Sequence, residues 1–148
     1  MNFELKEAEL SDIPKLINYK LKSIFAYAPN LPKEEVLKIN NYVKNNIRQN
    51  LESIQVICVN KKVIGCVILE NIDDGILLDE IYLEQAYRNQ KIGTKIINQI
   101  LENNDIVYLW VYKLNTKALS LYQRLGFNII EETEERYYMK IRNKFYDS

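Results

Sequence analysis

Apolar positions alternate with polar ones from Phe3 to Glu7, with Phe3 and Leu5 on one side, which predicts a short strand. The period then lengthens. Ile13, Leu16, Ile17, Leu21, Ile24 and Phe25 recur at helical spacing behind Ser11, an N-cap candidate, and Pro14, tolerated in a first helical turn. Pro29 should stop this helix. After the turn-rich stretch Tyr27 to Pro32, a second helix carries the stripe Val36, Ile39, Val43 and Ile47, with Asn40, Asn41, Lys44 and Asn45 on its solvated side.

From residue 54 the pattern is that of strands. Ile54 to Asn60, a turn at Lys61-Lys62, and Val63 to Glu70 form one hairpin. The run Val63 to Leu69 is nearly all apolar, as in a central strand covered on both faces. Asp73-Asp74-Gly75 is a hairpin turn signal, and Ile76 to Leu83 the third strand of the meander. A polar loop, Gln85 to Gln90, leads to a helix from Ile92 to Asn103 with Ile92, Ile96, Ile97, Ile100 and Leu101 on its apolar face. Ile106 to Val111 is a further strand. Asn115 opens a helix that buries Ala118, Leu119, Tyr122 and Leu125 and stops at Gly126. Phe127 to Ile130 and Arg136 to Ile141 close the chain as paired strands.

The order β-α-α-β-β-β-α-β-α-β-β predicts an α/β fold: a mixed, mostly antiparallel sheet flanked by helices. The strands Ile76 to Leu83 and Ile106 to Val111 flank a helix and should be parallel, joined by a right-handed crossover. The 148 residues fit one domain, 1–148.

Composition narrows the chemistry. Lys plus Arg equals Asp plus Glu at 20 each, which argues against nucleic acid or an anionic membrane as the main partner. There is no His, so zinc has few ligands and Ser-His or Cys-His nucleophiles are excluded. No metal is expected. Cys58 and Cys66 lie in apolar runs and read as buried thiols. No stretch approaches the roughly 20 apolar residues of a membrane span, and the N-terminus does not read as a signal peptide. The cytoplasm is the default expectation. Richness in Asn, Lys and Ile suggests an AT-rich bacterial genome, an association only.

The loop Tyr87-Arg88-Asn89-Gln90-Lys91-Ile92-Gly93-Thr94 joins the end of a strand to the start of a helix. Helix starts present unpaired N–H groups and roughly half a positive charge. Gly93 lets backbone approach a phosphate, and Arg88 and Lys91 add cations. A diphosphate-bearing ligand is the natural occupant, although an ordinary solvated loop has the same local signature.

Two motifs carry a family resemblance. Leu78 to Leu83 followed by Tyr87 to Ile97 resembles the acetyl-CoA motif of the GNAT N-acetyltransferase superfamily, whose loop is Gln/Arg-x-x-Gly-x-Gly/Ala. Arg88 and Gly93 match, and Lys91 stands where Gly is usual. Asn115 to Phe127 resembles the second signature, Asn-x-x-Ala-x-x-x-Tyr-x-x-x-Gly-Phe, at every fixed position. The resemblance implies an enzyme that moves acetyl from acetyl-CoA directly to an amine. It implies the CoA pyrophosphate on Arg88, Asn89, Gln90, Lys91, Ile92, Gly93 and Thr94. The pantetheine arm would run along Ile81, Tyr82 and Leu83, in a split between the fourth and fifth strands, with Asn115 touching it.

The resemblance also implies two catalytic roles. Glu80 matches a base or a water-holding carboxylate; read from its residues alone, it is equally a solvated or cross-strand carboxylate. Tyr122 matches the general acid that protonates the leaving thiolate; the alternative is a core aromatic of an amphipathic helix. Tyr27, Trp110 and Tyr112, together with Tyr82, are aromatic candidates for an acceptor wall, a role that suits a cation, or they are packing residues. No acidic cluster for a polyamine stands out in the first two helices, whose charges are mostly Lys. The acceptor would be a small-molecule or peptide amine. The C-terminal strands and tyrosines offer a homodimer face. A non-catalytic acyl-CoA-binding domain of the same fold is the rival reading.

Overall fold

The computed structural model describes residues 2–28 and 30–143. Its elements run β1 (Glu4–Glu7), α1 (Ile13–Tyr27), α2 (Lys33–Gln49), β2 (Ile54–Val59), β3 (Lys62–Ile72), β4 (Gly75–Leu83), α3 (Ile92–Asn103), β5 (Ile106–Tyr112), α4 (Thr116–Leu125), β6 (Asn128–Glu132) and β7 (Arg136–Arg142). The strands form one sheet in the order β1-β2-β3-β4-β5-β7-β6. The ladders β1/β2, β2/β3, β5/β7 and β6/β7 are antiparallel, and β4/β5 is parallel. A parallel neighbour needs a crossover element, and α3 supplies it. This is the mixed α/β architecture the element order predicts.

Contacts divide the chain into two compact units. The first holds residues up to Ile68 together with Glu80–Ile92; the second holds Leu69–Asp79 and the residues from Gly93 onward. In the first unit Leu16 and Tyr19 of α1 and Val43 and Ile47 of α2 pack with Ile54, Val56, Cys58, Cys66 and Ile68 of β2 and β3. Val36 and Ile39 of the α2 stripe are only half-buried. In the second, the β4/β5 ladder joins Ile76 to Val107, Leu77 to Tyr108 and Leu78 to Leu109. Leu109 faces Met139 across the β5/β7 ladder, and both are almost fully buried.

Two local expectations shift. Ser11 lies in a 3-10 turn (Leu10–Asp12), and Asp12 is the N-cap of α1. The turn closes on itself, the Glu9 N–H donating to Asp12 Oδ2 at 2.8 Å and the Asp12 N–H to the Glu9 carbonyl at 2.9 Å. The β2–β3 turn is centred on Asn60 and Lys61, not Lys61-Lys62, with φ of 51° and 66°. Positive φ at both central residues suits a tight hairpin, and Asn adopts it more readily than Lys. Pro29, expected to stop the first helix, lies outside the described residues.

Gly65 of β3 lies against β4. A Cβ built there would sit 2.1 Å from the Tyr82 carbonyl oxygen and 3.2 Å from Leu83 Cα. Both are backbone atoms that cannot swing aside. Gly65→Ala should therefore cost about 1–3 kcal/mol, the range for overpacking. At roughly 2–4 °C per kcal/mol for a chain of this size, thermal melting should register the loss. An unchanged melting temperature would refute the close approach.

Candidate active site

In a strand, alternate residues share a face, so Glu80, Tyr82 and Glu84 at the end of β4 point the same way. Three side chains of α1 meet them. Lys20 Nζ donates to Glu80 Oε2 at 3.1 Å, and Ser23 Oγ donates to Glu80 Oε1 at 3.1 Å. Both members of the ion pair are largely buried, with side-chain exposures of 17% for Lys20 and 12% for Glu80. Tyr19 stacks on Tyr82 with ring centroids 4.8 Å apart, and its hydroxyl donates to the Glu84 carboxylate. Burial first, and then the Glu84 hydrogen bond, push the Tyr19 phenol well above its ordinary range.

Lys20, Ser23, Tyr19 and Glu84 escape the sequence reading. A signal existed for three of them. Tyr19, Lys20 and Ser23 follow Leu16 at spacings of three, four and seven, so they fall on or beside the buried face of α1. A polar residue there needs a partner.

Arg88 is fixed by the same strand end. Its Nε donates to the Leu83 carbonyl at 2.7 Å, and its guanidinium lies 5.2 Å from the centre of the Tyr82 ring. The chain then turns through two left-handed residues, Asn89 at φ 62° and Lys91 at φ 65°, before α3 begins at Ile92. Left-handed residues of this kind are found in the turns that line anion sites. Arg88, Asn89, Gln90 and Lys91 are exposed, whereas Ile92 is buried and anchors the helix start. The first turn of α3 carries no acidic residue, while that of α2 carries Glu34 and Glu35. The positive end of α3 is thus left without a carboxylate of its own first turn, and the donor set suits a pyrophosphate.

In the second unit, Asn115 Oδ1 accepts from the Ala118 N–H at 3.3 Å and caps α4, and Gly126 at φ 108° ends the helix. These caps hold Tyr122, which is 9% exposed and meets Phe127 edge-on at 5.8 Å. Trp110 packs on Tyr138 at 4.4 Å and already carries a cation, the Arg136 guanidinium, 4.5 Å from its ring centre. Tyr27 and Tyr112 are half-buried. Glu80, Ile81, Tyr82, Leu83 and the loop from Arg88 to Ile92 belong to the first unit; Gly93, Thr94, Trp110, Tyr112, Asn115 and Tyr122 belong to the second.

Both cysteines are buried and unpaired. Burial, and then the Glu80 charge, drive the Cys66 thiol far up and keep it protonated.

The family model described as an acetyltransferase (GNAT) domain matches residues 50–129, more than half of the chain. The chain belongs to the GNAT acetyltransferase family. Among solved structures of this fold, the PaiA N-acetyltransferase of Thermoplasma acidophilum in complex with coenzyme A is 19% identical at TM-score 0.79, covering 96% of this chain and 99% of that one. An N-acetyltransferase from Staphylococcus aureus Mu50 is 19% identical at TM-score 0.74, covering 93% of this chain and all of that one, 100%. A curated relative, N-alpha-acetyltransferase 50 of Danio rerio, is 41% identical over 61 residues, 37% of this chain. The match spans just over a third of that relative's length, 36%. No described helix is long and apolar enough to cross a membrane.

Lys91 is where this GNAT chain departs from the family's glycine, and its backbone is left-handed all the same. A non-glycine residue there costs roughly 1–2 kcal/mol, and a β-branched one more. Lys91→Gly should leave the melting temperature unchanged or raise it by a few degrees. Lys91→Val should lower it by at least the equivalent of about 1 kcal/mol. Equal melting of the two variants would contradict the left-handed assignment.

Proposed function

We propose that this chain is an acetyl-CoA-dependent N-acetyltransferase that passes the acetyl group directly to an amine, acting as one domain over 1–148. The observation that carries the proposal is the Arg88–Lys91 loop. Its two left-handed residues and two cations lead into a helix start free of acidic residues in its first turn. Arg88, Asn89, Gln90, Lys91, Ile92, Gly93 and Thr94 would hold the pyrophosphate of the cosubstrate. Ile81, Tyr82 and Leu83 would offer backbone partners to its pantetheine arm, and the Asn115 amide, whose oxygen makes the helix cap, would add a donor. Bound acetyl-CoA supplies an activated acetyl thioester. The acceptor nitrogen forms the new C–N bond as the C–S bond breaks. Glu80 takes the acceptor's proton, directly or through water, and Tyr122 returns one to the sulfur.

A small-molecule or peptide amine is the acceptor, with Tyr27, Trp110 and Tyr112 as candidates for its wall. The Arg136 guanidinium already lies over the Trp110 ring. The proposed setting is cytoplasmic, and a homodimer through the C-terminal strands is the proposed assembly.

Acetyl-CoA should raise the melting temperature. Saturation at 100 times the dissociation constant adds about 2.7 kcal/mol. Folded protein with no shift at millimolar acetyl-CoA would sink the proposal. Tyr122→Phe keeps the ring against Phe127, so acetyl-CoA affinity should hold. Turnover on a working acceptor should fall roughly 10²–10⁴-fold, the usual range for general acid–base catalysis. Undiminished turnover would make Tyr122 a packing residue.

A further inference from the structure

Between Ile81 and Lys91 the sole acidic residue is Glu84. It precedes Arg88 by one 3-10 turn, in which the Tyr87 N–H donates to the Glu84 carbonyl at 2.9 Å and the Arg88 N–H to the Gln85 carbonyl at 3.2 Å. Arg88 Nε donates to the Leu83 carbonyl at 2.7 Å, which brings its head group back to the peptide that joins Leu83 to Glu84. An acid and a base placed so close pair readily, and such a pair would cancel the cation that a diphosphate needs. Among the described residues, however, no carboxylate pairs with Arg88. The Glu84 carboxylate accepts instead from the Tyr19 hydroxyl of α1. Burial, and then that bond, push the Tyr19 phenol up, so it stays a donor. Its ring stacks on Tyr82 at 4.8 Å, and the Arg88 guanidinium lies 5.2 Å from the centre of the Tyr82 ring. All of these residues fall within the first unit.

Resting on the acetyltransferase reading and its pyrophosphate loop, we propose that Tyr19 is a positioning residue for cosubstrate binding. Its hydroxyl holds Glu84 away from Arg88, and its ring backs the Tyr82 platform on which the guanidinium rests. Arg88 is thereby kept as a cation in a fixed place. The bond to Leu83 uses one N–H of the guanidinium fork and leaves the others for phosphate oxygens. Without the hydroxyl, the half-buried Glu84 carboxylate loses its donor and needs another. The guanidinium is the replacement that the backbone sets beside it. The influence of Tyr19 on the loop thus passes through the charge of Glu84, which separates it from simple packing.

Calorimetric titration with CoA tests this on the wild type, Tyr19→Phe, Glu84→Gln and the Tyr19→Phe/Glu84→Gln double variant. Tyr19→Phe keeps the ring against Tyr82 and should raise the Kd for CoA about fivefold, the upper scale of one exposed ion pair. Glu84→Gln removes the competing charge, so the double variant should return to within about twofold of the wild type. Unchanged affinity in Tyr19→Phe, or a double variant that binds no better than Tyr19→Phe, overturns the proposal. Pantetheine, which lacks the diphosphate, should bind Tyr19→Phe and the wild type alike; an equal loss for both ligands marks a packing defect and overturns it too. Should Tyr19→Phe fail to fold, Tyr82→Leu decides. It removes the platform and should raise the Kd for CoA at least about twofold more than that for pantetheine, and equal changes overturn the proposal. A wild type that binds no CoA defeats the acetyltransferase reading itself, whereas loss of the Tyr19 effect alone leaves that reading standing.

Discussion

Tyr19 is 3% exposed and carries a hydroxyl, so its burial depends on a partner within reach. Glu84 provides it, and the stack of Tyr19 on Tyr82 fixes the distance between α1 and the end of β4. The alternation of a strand then places Glu80 opposite Lys20, the next residue of α1, and Ser23, one helical turn along. A slip of one residue in β4 would turn Ile81 and Leu83 toward α1 and leave Tyr19 without its carboxylate. Gly65 guards that register from the other side, because the β4 backbone comes closer to it than any side chain would permit. The Arg88 side chain inherits its position from the same contact, through the Tyr82 ring and the Leu83 carbonyl.

In the proposed pyrophosphate site, the loop that follows would set a backbone strain against a charge. A left-handed lysine costs on the order of 1–2 kcal/mol where glycine would cost nothing in strain. A cation beside a bound phosphate offsets that strain only while the anion is present. In the proposed pyrophosphate site, Lys91 would therefore make the empty loop less comfortable and the occupied loop more so, a bias that glycine cannot provide. Asn89 achieves its own positive φ more cheaply, as a residue type enriched in that region.

Most of the fold was legible in the sequence because most of it is local. Asn115 and Gly126 bracket α4 as a cap and a left-handed stop, and the period change at residue 54 marks where helices give way to strands. The misplacements are local competitions. Asp12 takes the N-cap position with its carboxylate turned back to the Glu9 N–H, and Asn60 takes a turn position that Lys62 would fill poorly. The candidate site was legible only where a motif is contiguous, as in Arg88 to Thr94. Lys20 and Ser23 meet Glu80 across 60 and 57 residues of chain, and no local pattern encodes that pairing. The ring partners of Trp110 were equally invisible, since Tyr138 and Arg136 reach it only through the β5/β7 register.

What the side chains can do to a proton limits the chemistry more than what they can do to carbon. The chain has no histidine to activate a thiol, both cysteines are buried, and burial and then the charge of Glu80 push the Cys66 thiol up. Lys20 opposes that effect of Glu80 on the thiol, but burial is the larger cause and prevails. A chain so equipped can bring two reactants together, orient them and move protons at the edges of the reaction.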